Sequence, residues 1–197
     1  RSVLRGEGVE LQDIATPGEA PRRSHERILD MDALPFPARD CLPLAQKRGA
    51  SASITASRGC YARCAFCTVP SFYAAKNGPR WVSRSIDNII AELSELHGAF
   101  GVRHFSFIDD NFMGPGRRGR ERALEFAAAY DRSGLPMTFH IDCRASDVDE
   151  LVLAALKEVG LRSVFIGIES VSRRDLVVYR KDLDPEANWN AVRIVKK

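Results

Sequence analysis

The sequence lacks long apolar runs. No stretch of its 197 residues approaches the roughly 18 consecutive apolar residues that a membrane-spanning helix needs. The chain also opens without a basic segment followed by an apolar one, so nothing in it predicts export from the cell. We therefore expect a cytoplasmic protein that is not associated with a membrane.

A large excess of one charge is also missing. Lys and Arg number 29 and Asp and Glu number 26, which leaves a formal net charge of +3. Because nucleic-acid-binding domains carry a concentrated positive charge, this balance argues against nucleic acid as a partner. The basic cluster at Arg117–Arg122 is predicted to be the solvated start of a helix. With 45% apolar and 28% charged residues, the chain has the composition of a folded globular domain.

Cysteine is sparse, and its distribution is uneven. The count is five, and three of these residues lie within a stretch of eight: Cys41, Cys60, Cys64, Cys67 and Cys143. A secreted disulfide scaffold would spread an even number of cysteines over a shorter chain. Clustered thiols in a chain without an export signal instead predict metal ligands or redox groups.

Strands and helices alternate in the second part of the chain. Apolar residues at helical spacing predict a helix from Ile86 to Phe100. Another helix is predicted to have Ser146 as its N-cap and to end at Gly160. The remaining elements are strands at Ser53–Ser57, His104–Ile108, Thr138–Cys143 and Val164–Ile168, and helices at Arg120–Arg132 and from Asp184 to Lys197. This order predicts an α/β fold with parallel strands. Its four βα units are half of a closed eight-fold barrel, so we expect a piece of a larger protein.

Three cysteines follow the first predicted strand in C-x3-C-x2-C spacing. Gly59 allows a tight turn out of the strand, and Pro70 is predicted to prevent the loop from continuing as a helix. Thiolates of Cys60, Cys64 and Cys67 can occupy three corners of an iron–sulfur cube, which leaves the fourth iron open to a small molecule. Two alternatives remain: one face of a buried helix, or a structural zinc site with a fourth ligand elsewhere.

The segment Arg58–Cys67 resembles the signature of radical S-adenosylmethionine (SAM) enzymes. The resemblance includes the aromatic Phe66 before the last cysteine and implies that Phe66 lies at the cofactor. It implies a partial barrel of the (βα)6 type, of which residues 51–197 supply about four units. It also implies a 4Fe–4S cluster, SAM bound at its open iron, and an electron donor such as flavodoxin or ferredoxin. In this family, reductive cleavage of SAM produces a 5′-deoxyadenosyl radical, which abstracts a hydrogen atom from the substrate.

Residue parity predicts two different faces for the strands. In three strands one face is apolar, as outer helices require, and the other becomes polar toward the carboxyl end. Inward polar residues predict a lumen that holds a polar ligand, since a filled barrel core is apolar on both faces. His140 on this face is a candidate substrate acid or base, with a hydrogen-bonded lining residue as the alternative.

The family resemblance adds candidate SAM contacts at the ends of the strands. It implies that Asp109, Asp110 and Asn111 meet the SAM amine, although a turn rich in Asp and Asn explains them equally well. It implies that Arg144 binds the SAM carboxylate and that Glu169 hydrogen-bonds a polar part of the cofactor. The alternative is a surface ion pair for Arg144 and a structural ion pair for Glu169.

The segment before the core resembles one branch of the family. Residues 29–50 are similar to the linker that follows a cobalamin-binding domain, and residues 1–28 to the end of that domain. No Asp-x-His-x-x-Gly motif is present, so no histidine ligand for cobalt is assigned. This branch implies cobalamin as a further cofactor and methylation of an unreactive carbon of a small molecule. The alternatives are a cobalamin-independent methylthiotransferase or dehydratase, or a non-enzymatic iron–sulfur or zinc module.

Overall fold

The computed structural model describes residues 29–74 and 78–196. Six strands are present in this part of the chain: β1 Ala52–Ile54, β2 Ser57–Gly59, β3 Trp81–Ser83, β4 His104–Phe107, β5 Thr138–Arg144 and β6 Leu161–Gly167. The α-helices are α1 Leu42–Lys47, α2 Val69–Ala74, α3 Ile86–Phe100, α4 Gly116–Ser133, α5 Glu150–Glu158, α6 Arg173–Val178 and α7 Pro185–Val195. Among these residues, no helix combines the length and apolar character needed to cross a bilayer.

Four strands form one parallel sheet in the order β1-β4-β5-β6. Helices α3, α4 and α5 connect consecutive strands of this sheet. Because each new strand is added on the same side of the last, the sheet winds in one direction, as in a barrel, without the reversal of a doubly wound fold. The predicted α/β fold with about four barrel units is therefore confirmed. In the described part of the chain, β6 pairs only with β5.

The predicted helices are present, with two corrections at their starts. Helix α3 has the predicted bounds, with Ser85 as its N-cap. Helix α4 begins at Gly116, one turn earlier than predicted. The N-cap of α5 is Asp149, which accepts a hydrogen bond from the Val152 amide at 3.1 Å, so the prediction of Ser146 as the cap is wrong. Residues 145–147 instead form a separate 3-10 turn.

An aromatic cluster forms the core between the sheet and α4. Its members are almost fully buried, and their ring centroids lie between 4.7 and 6.4 Å from one another where they contact: Phe105, Phe107, Phe112, Phe126, Tyr130 and Phe139. Each such side chain contributes roughly 1.5–3 kcal/mol through burial. This layer holds the outer face of β4 and β5 rigidly, so their carboxyl ends are fixed in position.

A small hairpin that the sequence analysis did not predict follows β1. Strand β2 pairs antiparallel with β3, and the two together form a separate two-stranded sheet. The indole nitrogen of Trp81 donates to the Asn111 carbonyl at 3.1 Å, which fixes the hairpin to the end of β4. Gly114, with φ +71°, makes room for the indole, since a Cβ there would lie 2.5 Å from the ring. The loop between β2 and β3 contains the three clustered cysteines.

The segment before β1 lies against α3 and the hairpin. Met31 is buried and is the main anchor, whereas Leu34 and Phe36 are half-buried. Arg39 forms an ion pair of 2.7 Å with the buried Glu92 on α3. Residues 29–50 are thus docked on the core, and the prediction for residues 1–28 falls outside the described residues.

Candidate functional site

The cysteine loop leaves β2 at Gly59 and crosses the carboxyl end of the sheet. Gly59 has φ +88°, which is the tight exit predicted for it. Its amide donates to Asp110 Oδ2 at 2.8 Å, and the Ala65 amide donates to the Tyr179 carbonyl at 2.8 Å. Residues 60–68 are not helical, so the alternative of a buried helix face is wrong. Pro70 lies within the first turn of the short helix α2, where its missing N–H is tolerated, so the prediction that it prevents a helix here is wrong.

The three thiols of this loop pack in one cluster. Cys60 and Cys64 are buried and Cys67 packs against them, and all three are free of disulfides. Burial raises the pKa of the Cys60 thiol above its ordinary value, while Arg144 partly opposes that shift. In residues 29–74 and 78–196, no three His, Cys, Asp or Glu side chains are arranged to hold a single metal ion.

This donor set fits an iron–sulfur cube better than a zinc ion. A structural zinc needs four ligands around one ion, and the described residues do not supply such a group. A cube instead spreads its protein ligands over separate corners, and three thiolates leave one corner free. The other cysteines are elsewhere: Cys41 is exposed, and Cys143 is buried in the core layer.

A hydrogen-bonded network joins the cysteine loop to the ends of β4 and β5. The Tyr61 hydroxyl, next to Cys60, makes a short hydrogen bond to Asp147 Oδ1. Asp147 Oδ2 also accepts from the Asn111 side-chain amide at 2.8 Å. Burial, followed by the charge of Asp147, raises the pKa of Tyr61 above its ordinary value, so the phenol remains a donor. Asn111 Oδ1 is buried and accepts no hydrogen bond from any of the described residues.

Arg144, the last residue of β5, lies against the cysteines. Its Nη1 donates to Cys64 Sγ at 3.1 Å, and its Nη2 makes a short hydrogen bond to the Lys181 carbonyl. Its Nε donates to Ser146 Oγ at 3.3 Å, and the guanidinium is 5.7 Å from the centre of the Tyr61 ring. The prediction placed Arg144 at the SAM carboxylate, and the structure places it at the loop that would hold the cluster.

The three predicted contacts after β4 have different surroundings. Asp109 is buried, and its carboxylate accepts from the Ala56 amide at 2.8 Å and from Ser57 Oγ at 2.6 Å. Burial raises its pKa to about 6. Asp109 therefore holds β1 and β2 together, as expected for the alternative of a structural turn. Asp110 is exposed beside Gly59, so its carboxylate faces the cysteine loop with acceptor capacity remaining.

Glu169 lies after β6 with a left-handed backbone, φ +56°. Its Oε2 forms an ion pair of 2.8 Å with Lys181, whose Nζ also donates to the Gly167 carbonyl at 3.1 Å. Lys181 is 2% exposed, so the pair is well shielded on one side. This is the structural ion pair named as the alternative, and it leaves Glu169 Oε1 free in the described contacts. Phe66 is half exposed and packs edge-on against Tyr179, with ring centres 5.7 Å apart.

His140 lies on the inner face of the sheet, below these residues. Its Nδ1 is 2.7 Å from Ser163 Oγ, and its Nε2 is 2.7 Å from Asp142 Oδ1. Both ring nitrogens are therefore engaged, as expected of a hydrogen-bonded lining residue. His140 also lies in the middle of β5, four residues before Arg144, so it is not part of the cluster around the cysteines.

Sequence reasoning did not find three members of this site. Tyr61 lies inside the cysteine signature, but no pattern in the sequence indicates its hydrogen-bond partner. Asp147 was not identified because the predicted cap at Ser146 placed it inside a helix. Lys181 lies between α6 and α7, in a segment without periodicity, and its burial beside Glu169 could be found only from the fold.

The geometry defines a class of protein: an α/β enzyme on a partial barrel, with a three-cysteine loop at the carboxyl end of the sheet. The chain belongs to the radical SAM superfamily, whose family model matches residues 54–197. Enzymes of this family use a 4Fe–4S cluster together with SAM, as the cysteine signature implied.

The chain is similar to two curated proteins and to one solved structure. It is 31% identical over 86% of its length to an uncharacterised methyltransferase of Pyrococcus horikoshii, of which it covers 36%. It is 28% identical over 76% of its length to a putative methylthiotransferase of Methanocaldococcus jannaschii, of which it covers 33%. The structure of OxsB, a cobalamin-dependent SAM radical enzyme with aqua-cobalamin and SAM bound, superposes with a TM-score of 0.79 and 22% identity. That match covers 98% of this chain and 29% of OxsB and concerns the fold. The chain thus spans about a third of the length of the proteins it resembles.

Proposed function

We propose that this chain is the core of a cobalamin-dependent radical SAM enzyme that methylates an unreactive carbon of a small molecule. The proposed cleavage of SAM is supported by one observation. Cys60, Cys64 and Cys67 pack together at the carboxyl end of the sheet, with Arg144 beside them. In parallel α/β folds the ligand site lies at this end of the strands.

The residues around the cysteines provide the contacts that SAM needs. Cys60, Cys64 and Cys67 would hold the 4Fe–4S cluster, which would supply one electron for the cleavage of SAM into methionine and a 5′-deoxyadenosyl radical. Asp110 offers an exposed carboxylate to the SAM amine, whereas Asn111 is fully buried and supports the site through its hydrogen bond to Asp147. Arg144 has five N–H groups, and contacts among the described residues engage three of them, which leaves two for the SAM carboxylate. Glu169 Oε1 can accept a hydrogen bond from the cofactor. The exposed Phe66 ring would cover the cofactor from the side of the cysteine loop.

The cobalamin branch is supported by two lines of evidence. Residues 29–50 resemble the linker after a cobalamin-binding domain, and they are docked on the core as such a linker would be. The chain also has the same fold as OxsB and is similar to a methyltransferase. The similarity to a putative methylthiotransferase favours a second candidate, sulfur insertion without cobalamin.

The first test concerns the cluster and SAM cleavage. Full-length protein is reconstituted anaerobically with iron and sulfide, and 5′-deoxyadenosine is measured after SAM and dithionite are added. We expect a brown protein that forms 5′-deoxyadenosine, and flavodoxin or ferredoxin should replace dithionite as electron donor. Cys64→Ala should lose most of the bound iron and all of this product.

The matched control is Cys143→Ala, which removes a buried thiol from the outer face of β5. We expect this variant to keep its cluster and its SAM cleavage. A colourless wild-type protein that binds zinc, or equal loss of iron in both variants, would contradict the proposal.

The second test separates the two branches. Protein produced with hydroxocobalamin is examined for the bound cobalamin spectrum, and SAM with an isotopically labelled methyl group is followed into products. Tight cobalamin binding and labelled methyl on a carbon atom support the proposal. Failure to bind cobalamin, with methylthio groups in the product, supports the second candidate.

A further inference from the structure

Arg144 is a buried cation whose side chain contacts a cysteine of the loop. It is 8% exposed, and its three nitrogens donate to Cys64 Sγ, Ser146 Oγ and the Lys181 carbonyl. Within residues 29–74 and 78–196, no carboxylate lies within ion-pair distance of its guanidinium. A buried charge without an opposite charge nearby destabilises the folded protein, so Arg144 is expected to have an anionic partner.

The partner of Arg144 in the cysteine loop is the sulfur of Cys64, which would be anionic when it binds iron. A cysteine that binds iron does so as a thiolate, which carries the negative charge that the described carboxylates do not supply. Asp147 adds a second negative charge at a greater distance. The Tyr61 ring covers the guanidinium, which keeps water away and strengthens its interaction with the sulfur.

We propose that Arg144 is a positioning residue that holds Cys64 and favours the reduced state of the cluster. This inference rests on the proposed function and goes beyond it, because it assigns Arg144 a role that exists before SAM binds. Hydrogen bonds to the ligand sulfurs and nearby charges set the reduction potential of an iron–sulfur cluster. One electron enters from the external donor, no bond is formed or broken at Arg144, and the guanidinium keeps its proton.

The contacts of Arg144 connect the cysteine loop to the end of β6. The same guanidinium that reaches Cys64 also binds the Lys181 carbonyl, and the Lys181 ammonium binds Glu169 and Gly167. The cation is therefore held from both sides and cannot turn away from the sulfur without breaking several contacts. A rigid donor of this kind stabilises added negative charge without the cost of reorganisation.

Arg144→Gln tests the effect of Arg144 on the reduction potential of the cluster in a measurement made without SAM. The cluster of the full-length protein is titrated without SAM, and the reduced fraction is followed by electron paramagnetic resonance. Loss of the positive charge should lower the ratio of reduced to oxidised cluster at a fixed potential by about tenfold or more, where tenfold is 59 mV for a one-electron couple. Arg144→Lys, which keeps the charge but loses the planar donor, should give a smaller decrease.

Arg122→Gln is the matched control. Arg122 is 7% exposed, donates to the Ala56 and Phe112 carbonyls, and stacks on Trp81, so it has the same burial without a cysteine contact. We expect it to lose stability without a change in the potential of its cluster. If Arg144→Gln holds a cluster with the wild-type potential, the inference is wrong.

Folding and cluster retention of the Arg144 variants give two further outcomes of this experiment. If both Arg144 variants fold by circular dichroism but lose the cluster, whereas Arg122→Gln keeps it, the positioning of Cys64 is supported. If both Arg144 variants unfold, the role of Arg144 is structural and the inference is overturned. A wild-type protein without any cluster contradicts the proposed function itself, and that result comes from the earlier experiment.

Discussion

The two faces of the parallel sheet differ sharply. On the outer face, Phe105, Phe107 and Phe139 are almost fully buried against α4. On the inner face, Phe165 is 63% exposed, and His140 is half-buried with hydrogen bonds at both ring nitrogens. Successive residues of one strand therefore serve different purposes: one set holds the fold together, and the other lines a lumen. The difference teaches that stability and ligand binding can be altered independently in this sheet.

The largest expected effect is that of Phe139→Ala. Removing this ring from the centre of the aromatic cluster leaves a cavity that the surrounding rings cannot fill, so the free energy of unfolding should fall by about 3–5 kcal/mol. The matched variant is Phe165→Ala on the neighbouring strand, which should change it by less than about 0.5 kcal/mol. Urea unfolding followed by circular dichroism measures both. Equal losses would contradict the contrast between the two faces.

A smaller effect is expected for Asp109→Asn, and it depends on pH. Burial raises the pKa of Asp109 to about 6 from an ordinary value of 3.8, so the folded state binds a proton more tightly than the unfolded state. Ionisation of the Asp109 carboxyl therefore lowers the free energy of unfolding. This loss grows as the pH rises from about 4 to about 6 and is constant above pH 6. Asparagine can still accept from the Ala56 amide, and it carries no such cost.

The prediction is therefore tested by measuring the free energy of unfolding of Asp109→Asn and of the wild type at several pH values. The free energy of unfolding of Asp109→Asn, relative to wild type, should increase by up to about 3 kcal/mol between pH 4 and pH 7. A relative stability that does not change over this range would show that the Asp109 carboxyl titrates normally in the folded protein.

The smallest expected effect on stability is that of His140→Gln. Its partners Ser163 and Asp142 can turn to water, so the free energy of unfolding should change by less than about 1 kcal/mol. Product formation should fall less than tenfold if His140 only lines the lumen. A loss of product with normal formation of 5′-deoxyadenosine would instead show that His140 transfers a proton to or from the substrate.

The elements with clear periodicity could be predicted from the sequence. Helix α3 and strands β4 and β5 were found within a residue or two because their buried residues repeat at the period of a helix or strand. The hairpin of β2 and β3 could not be found in this way, since its strands are three residues long. Arg122 was predicted to be solvated with its basic neighbours, but it is buried, because Trp81 and Phe112 stack on its guanidinium.

The site was predictable only as far as a local pattern defines it. The spacing of Cys60, Cys64 and Cys67 identified the loop without any knowledge of the fold. The surroundings of Asp109 and Lys181 depend on residues distant in sequence, such as Ala56 and Glu169. Whether a carboxylate ties strands together or remains open to a ligand is decided by these tertiary contacts, which one sequence does not reveal.

The free side of β6 has a practical consequence. Within the described residues, this seven-residue strand is hydrogen-bonded on one side only, so its other side presents unpaired amides and carbonyls next to the exposed Phe165 ring. Such an edge readily recruits a strand from another molecule. Preparations of these 197 residues should therefore tend to precipitate at high concentration, and Phe165→Lys should keep them in solution.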